Sequence, residues 1–363
     1  MFYNIINSER RVRDAATVTN PRTNEALWEL KRLTCPASQS LPDKVEYEND
    51  DLKIMSTHHP IGVVAPICPW NFPLVLATGK IAAALVMGNC IIVKPSPFTP
   101  CATLEFAELA TSALPRGVLQ FHRIYCDWKK VAESATKTLK RVTLELGGND
   151  VSIVCSNVDV KIVAPKVAAG SFFHSGQMCV ATKRVYVHEA VFQEFRDAFM
   201  EAVKNIKVDL SGDESSLLSP IQNNLQYKVV KYLISDCKEN NYTLLCGGNT
   251  DEQPGLFIAP VVGDRPPHDS RIVQLTKWYT KDEVISKVNG TATGLGACMW
   301  SGDIGTAERI ARKLEVGTVW VSSAEVPNPN GYMSGWKQSG IGGEWGNQGL
   351  LSYSLTQTIQ LYK

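Results

Sequence analysis

Short runs of β-branched and apolar residues alternate with stretches of helical spacing along most of the chain, which restricts the fold to layered α/β architectures. Ile61-Gly62-Val63-Val64-Ala65-Pro66-Ile67 reads as a buried strand running into a two-proline turn around Trp70-Asn71. Residues 74–88 are apolar at helical spacing, and Ala77, Gly79, Ala82, Ala83 and Ala84 are small enough to pack closely on a sheet. Cys90-Ile91-Ile92-Val93-Lys94 predicts the next strand, stopped by Pro95, Pro97 and Pro100, with a helix over 102–113. This strand-helix-strand-helix order predicts one half of an open parallel sheet of the nucleotide-binding kind, with ligand outside the strand carboxyl ends.

The alternation resumes after Gly148. Val151-Ser152-Ile153-Val154-Cys155 predicts a strand, residues 159–173 a helix, Val185-Tyr186-Val187 a strand and residues 192–206 an amphipathic helix. Residues 307–314 again have helical spacing, and Gly317-Thr318-Val319-Trp320-Val321 reads as a strand. Two stretches read as pairing edges rather than core. Val45-Glu46-Tyr47-Glu48 and Leu52-Lys53-Ile54-Met55 form a hairpin across Asn49-Asp50-Asp51, and residues 352–361 form a terminal strand. The boundary between the halves is expected at Gly147-Gly148.

A length of 363 residues leaves room for about two domains, each with an ample core. Lys and Arg number 37 against 36 Asp and Glu, a net charge of +1 that provides no electrostatic footprint for nucleic acid or an anionic membrane. The most apolar stretch, residues 81–93, is too short to span a bilayer and is broken by Gly88-Asn89. The amino terminus lacks the apolar core of a signal peptide, so a cytoplasmic protein with reduced thiols is expected. The 10 cysteines show no CxxC and no zinc-site spacing, so neither a metal site nor a disulfide framework is indicated.

One cysteine stands apart. A cysteine is usually a small buried hydrophobe, but Cys179 follows the polar, glycine-containing turn Ser175-Gly176-Gln177, which closes a helix and exposes what comes next. A carboxylate, Glu145, lies upstream in Leu144-Glu145-Leu146-Gly147-Gly148, at the end of an apolar strand. There a side chain between layers would be partly desolvated and suited to general-base work. Asn71, in Pro69-Trp70-Asn71-Phe72-Pro73, would by itself be a turn residue, but its amide is of the kind that steadies an oxyanion. Lys94, by itself a solvated strand end, lies where an α/β sheet binds nucleotide.

Taken together, Gly176-Gln177-Met178-Cys179, Leu144-Glu145-Leu146-Gly147-Gly148 and Pro69-Trp70-Asn71-Phe72-Pro73 resemble the motifs of the aldehyde dehydrogenase family. Further likeness runs through Thr293-Gly294-Leu295-Gly296-Ala297, Gly317-Thr318-Val319-Trp320-Val321 and Lys337-Gln338-Ser339-Gly340-Ile341-Gly342. It extends from about Gly62 to the chain end, and more weakly over 4–29. The resemblance implies a Rossmann-type cofactor domain (1–147, truncated, with an oligomerisation hairpin at about 45–56), an α/β catalytic domain (148–335), and a return segment with an oligomerisation strand (336–363). It implies oxidation of a small-molecule aldehyde to a carboxylic acid with NAD or NADP, in a homo-oligomer that binds neither nucleic acid nor membrane. Cys179 would be the nucleophile that forms a thioester, Glu145 the base that activates water, and Asn71 the oxyanion donor, while Lys94, Trp70 and Gly147 would hold the cofactor.

Three departures from the family pattern accompany these motifs. The long helical region before the hairpin is missing after Ala26-Leu27-Trp28-Glu29-Leu30. The family's Phe-Thr-Gly-Ser turn, which faces the cofactor pyrophosphate, is replaced by Phe121-His122-Arg123-Ile124-Tyr125-Cys126-Asp127-Trp128. The Glu-x-Phe-Gly-Pro element, whose glutamate holds the nicotinamide ribose, is missing between Gln274 and Leu275. Pro97 stands where a ribose-binding glutamate is common, so the choice between NAD and NADP stays open. The clean edges of the losses read either as skipped or mis-joined coding segments, with 121–128 as translated non-coding sequence, or as those of a real, degenerate relative. Two rival functions follow: a family remnant without dehydrogenase activity that acts only in association, and a cofactor-free esterase using Cys179 and Glu145.

Overall fold

The computed structural model describes residues 3–6, 9–12, 41–115, 117–121, 128–207, 218–249, 255–267 and 269–363. The missing helical region after Leu30, most of the weak likeness over 4–29 and the substitute segment over 122–127 lie outside the described residues. Contacts divide the chain into two compact units. One comprises Met1–Arg141, Pro329–Tyr332 and Glu344–Lys363; the other comprises Val142–Asn328 and Met333–Gly343.

The first unit holds a parallel three-stranded sheet in the order Val63–Val64, Cys90–Val93, Leu119–Phe121. Helices Pro73–Val86 and Pro100–Ala113 connect the strands, each beginning with a proline whose missing N–H costs a first turn nothing. Ala77, Ile81 and Ala84 form the buried face of the first helix and pack with Ile91, Val93, Leu119 and Phe121. The run 61–67 is not the buried strand its composition suggests. Only Val63–Val64 is strand, it lies at the sheet edge, and Val63 is 48% exposed. Pro66 has no N–H for a ladder, so pairing narrows to a single bridge between Ile67 and Lys94. Asn89 is buried and fully engaged: its Oδ1 accepts from the Gly62 N–H and its Nδ2 donates to the carbonyls of Ala84 and Tyr353.

The same unit carries an antiparallel three-stranded sheet. Lys44–Glu48 and Leu52–Pro60 form the hairpin, with a bulge between Val45 and Tyr47, and Ser354–Tyr362 pairs along the full length of Leu52–Pro60. Every residue of Lys44–Glu48 is exposed, and so are Leu355, Leu361 and Tyr362.

The second unit is built on a seven-stranded sheet. Its order is Leu244–Cys246, Val262–Asp264, Val273–Trp278, Thr182–His188, Asp150–Val154, Gly296–Trp300, Thr318–Val321, parallel apart from the first strand. Asp150–Val154 and Gly296–Trp300 are buried throughout, as strands covered on both faces must be. Helix Val160–Phe172, N-capped by Asp159, packs with helix Phe192–Lys204 on one side of the sheet, where Phe195 and Phe199 stack with ring centres 6.0 Å apart. The strand Val273–Trp278 runs unbroken through Gln274 and Leu275, both buried and paired with Arg184 and Val185.

Candidate active site

The seven-stranded sheet brings two of the sequence motifs together. Asp150–Val154 and Thr182–His188 are adjacent and parallel, with Thr182 level with Asp150. Whatever precedes each strand therefore gathers at the same sheet edge: the Leu-Glu-Leu-Gly-Gly stretch before one, the cysteine loop before the other. The Gly148 N–H donates to the Cys179 carbonyl at 3.2 Å and joins them. In this unit the two motifs meet at the amino ends of the strands, whereas Lys94 in the other unit follows a strand carboxyl end.

Glu145 sits on the short strand Leu144–Glu145, antiparallel to Gly340–Ile341 with Glu145 opposite Gly340. The return segment locks the stretch further. The Leu146 N–H donates to the Ser339 carbonyl at 2.9 Å, and the Ser339 hydroxyl donates to the Gly147 carbonyl at 3.1 Å while accepting from the Gly294 N–H at 3.0 Å. Glu145 itself is exposed, not partly desolvated between layers, because the strand that carries it lies outside the main sheet and, among the described residues, pairs with the return segment. A Cβ at Gly147 would meet nothing within 4 Å, so open space lies beside this backbone.

Cys179 is half-buried. The turn before it departs from ordinary geometry: His174 and Ser175 have φ of 52° and 56°, and Gly176 has 70°. Left-handed backbone costs a non-glycine residue about 1–2 kcal/mol, so this turn needs outside restraint. The Ser175 hydroxyl donates to the Ser219 carbonyl. Gln177 accepts from the Gln222 N–H at 2.9 Å through Oε1 and donates to the His174 carbonyl at 3.1 Å through Nε2. The glutamine of the Gly-Gln-x-Cys motif thus works as a brace for the turn.

The electrostatics run against a resting thiolate. Burial pushes the Cys179 thiol up to about 11, and the negative charges of Asp150 and Glu145 add to the shift, while the N–H groups of Val180 and Cys179 oppose it. Asp150 is itself buried, and its carboxyl is held well above the usual range by that burial, against the Gly296 N–H and Arg184. The Lys183 ammonium is drawn down to about 8 by burial, with the carboxylates of Glu325 and Asp150 pulling the other way. Asp150, Lys183 and Glu325 escape a reading of motifs, while Ser339 lies in the Lys337-Gln338-Ser339-Gly340 stretch without a role assigned to it. The one available signal is Thr182-Lys183-Arg184 leading directly into Val185-Tyr186-Val187, a pair of cations entering a buried strand.

Trp70, Asn71 and Lys94 are carried by the first unit. Trp70 and Asn71 are half-buried in the turn before helix Pro73–Val86, where the Trp70 carbonyl accepts from the Thr99 hydroxyl at 3.3 Å. Lys94 is 9% exposed at the end of strand Cys90–Val93; its N–H donates to the Pro66 carbonyl and its carbonyl accepts from the Cys68 N–H, each at 2.9 Å. Lys94 at a strand carboxyl end stands where an open α/β sheet takes its ligand, and the open space at Gly147 leaves room for close approach of a ligand to backbone. Among the described residues no group of three or more His, Cys, Asp or Glu could hold a metal ion, and no helix is long and apolar enough to cross a membrane.

Comparison with known proteins bears on most of the chain. The profile of the aldehyde dehydrogenase family matches residues 23–122 and 128–359. FUS7 of Gibberella fujikuroi is 39% identical over 362 residues, covering 91% of this chain and 77% of its own. Aldehyde dehydrogenase LUC3 of a Fusarium species is 33% identical over 372 residues, covering 93% and 78%. An NAD+ complex structure of an aldehyde dehydrogenase from Bacillus cereus superposes with a TM-score of 0.84 at 28% identity, covering 90% of this chain and 73% of that one. The chain belongs to the aldehyde dehydrogenase family, and by that family it is an NAD(P)-dependent aldehyde dehydrogenase of class EC 1.2.1.

Proposed function

We propose that this chain oxidises an aldehyde to a carboxylic acid with NAD(P)+ through a thioester on Cys179. The observation that carries the reading is the meeting of the Glu145 stretch and the Cys179 loop at one sheet edge, close enough for the Glu145 charge to be felt at the sulfur. Cys179 Sγ bonds to the carbonyl carbon as its proton passes to solvent water, and the carbonyl oxygen takes up the negative charge. The Val180 and Cys179 N–H groups, which already oppose the rise in the thiol's pKa, are donors available where negative charge gathers. NAD(P)+, when bound, supplies the hydride acceptor. Glu145, exposed and so open to water, takes a proton from the water that attacks the thioester carbon, which releases the acid and returns the proton to sulfur.

Asn71 keeps the oxyanion-donor role that the resemblance assigns, and losing one such donor lowers kcat by about a hundred- to a thousandfold. Lys94, Trp70 and Gly147 keep the cofactor roles. The sequence departures read at the family's phosphate turn and ribose glutamate suggest weaker cofactor binding than in an intact member, and nanomolar affinity by calorimetry would remove that inference. We also assign self-association to the exposed three-stranded sheet, which a purely monomeric mass by light scattering would exclude, and a cytoplasmic location, which cell fractionation checks.

The test is formation of reduced cofactor by the purified protein with a panel of aldehydes, beside Cys179→Ala. Turnover that depends on the cysteine supports the reading, and full activity in Cys179→Ala refutes it. If the wild type yields no reduced cofactor yet forms an acyl-enzyme from an activated ester, the cofactor-free esterase takes its place.

A further inference from the structure

The loop that presents Cys179 is held at both ends by polar side chains that the mechanism above leaves unused. At its start, Lys183 Nζ donates to the Gly176 carbonyl at 3.2 Å. The fit is close, since a Cβ on Gly176 would stand 2.9 Å from that same nitrogen. At its end, Glu325, 6% exposed, accepts from the Thr182 N–H at 3.1 Å and from the Thr182 hydroxyl through one carboxylate oxygen. Glu325 in turn lies against Gly170 of helix Val160–Phe172, where any side chain would collide with the other carboxylate oxygen. The bridged segment contains the cysteine and follows directly on His174 and Ser175, the two left-handed residues whose conformation the local backbone disfavours.

A cation half-buried at the start of a strand is costly, and the buried carboxylates Glu325 and Asp150 offset that cost for Lys183 only in part. Among the described residues its hydrogen bond goes to the Gly176 carbonyl of the cysteine loop rather than to either carboxylate. The carboxylates thus keep a charge inside the sheet edge whose directional bond is spent on the turn.

We propose that Lys183 is a positioning residue for Cys179: it grips the Gly176 carbonyl and fixes the left-handed turn that presents the thiol, while Glu325 anchors the far end through Thr182. This rests on Cys179 being the nucleophile. Lys183 makes no contact with the reacting atoms in this assignment; it acts through the turn.

The experiment compares wild type, Lys183→Met, Lys183→Arg, Gly176→Ala and the double variant Lys183→Met/Gly176→Ala. It measures the rate of Cys179 alkylation by iodoacetamide at pH 8, then kcat and KM for the aldehyde, with a thermal melt of each variant. Lys183→Met is expected to slow alkylation by about tenfold or more and to lower kcat by a similar factor, with KM changed less than about twofold. Lys183→Arg, which keeps a charged donor, recovers most of the loss. The double variant is no slower than the worse single one, because both substitutions act on one turn. Wild-type alkylation in Lys183→Met, or losses that multiply in the double variant, overturns the proposal. If Lys183→Met does not melt cooperatively, Lys183→Gln, whose amide falls one bond short of the Gly176 carbonyl, is judged by the same criteria. Failure of the nucleophile assignment shows separately, as turnover surviving Cys179→Ala, and leaves the alkylation comparison intact.

Discussion

In the free protein, Cys179 alkylation should climb about tenfold per pH unit from pH 7 to near pH 10 and level off only around pH 11. The thiol sits at about 11 against an ordinary value of 9.0, with burial the larger cause and the charges of Asp150 and Glu145 the smaller. A thiol is neutral when protonated, so burial and nearby carboxylates both favour the protonated form, and the reactive thiolate appears only as pH approaches the raised value. At pH 8 an ordinary thiol is roughly a tenth ionised and Cys179 roughly a thousandth, a deficit of about a hundredfold. A more basic thiolate is the better nucleophile, with a Brønsted slope of about 0.4–0.5, which returns up to about tenfold. Cys179 should therefore react with iodoacetamide about tenfold slower than N-acetylcysteine at pH 8, followed by mass spectrometry of the peptide carrying it. Glu145→Gln removes one repelling charge, so it should speed alkylation at pH 8 while slowing aldehyde turnover. A profile that plateaus by pH 9, or alkylation unchanged in Glu145→Gln, would show that the electrostatic reasoning is wrong.

Two further outcomes test the scaffold. Phe199→Ala empties a fully buried site stacked on Phe195 and should cost about 3–5 kcal/mol in urea unfolding; a loss under about 1 kcal/mol would mean the site collapses or is less packed than described. Gly340→Ala places a Cβ against the Leu144 carbonyl at a residue with φ of 154°, which disturbs the strand pair that seats Glu145. Steady-state turnover should fall by about a hundredfold while the pre-steady-state burst survives, and equal loss of both would detach the return segment from thioester hydrolysis.

Much of the fold is legible before any coordinates. Periodicity locates the helices at Pro73–Val86, Pro100–Ala113, Val160–Phe172 and Phe192–Lys204 within a few residues, because side-chain spacing and prolines act locally. The hairpin and its partner strand are equally plain, since turn residues and alternating edges carry their own signal. Burial is less so. The run 61–67 has the composition of a core strand and lies at a sheet edge, since a strand's place in the order depends on partners far along the chain. Gln274 and Leu275 are adjacent in one continuous strand, and that the sheet closes over this junction follows only from pairing with Arg184 and Val185.

What the sequence determined by itself is which groups are proposed to react, Cys179 after its glutamine turn and Glu145 before its glycines, and the α/β alternation that carries them. Tertiary structure decided their environment. The meeting of the two motifs comes from the parallel register of Asp150–Val154 with Thr182–His188, the exposure of Glu145 from pairing with a return segment nearly two hundred residues downstream, and the raised thiol from burial and, less, from carboxylates. A motif records which atoms are available, but desolvation and Coulomb interactions depend on distance through space, and folding alone sets that distance.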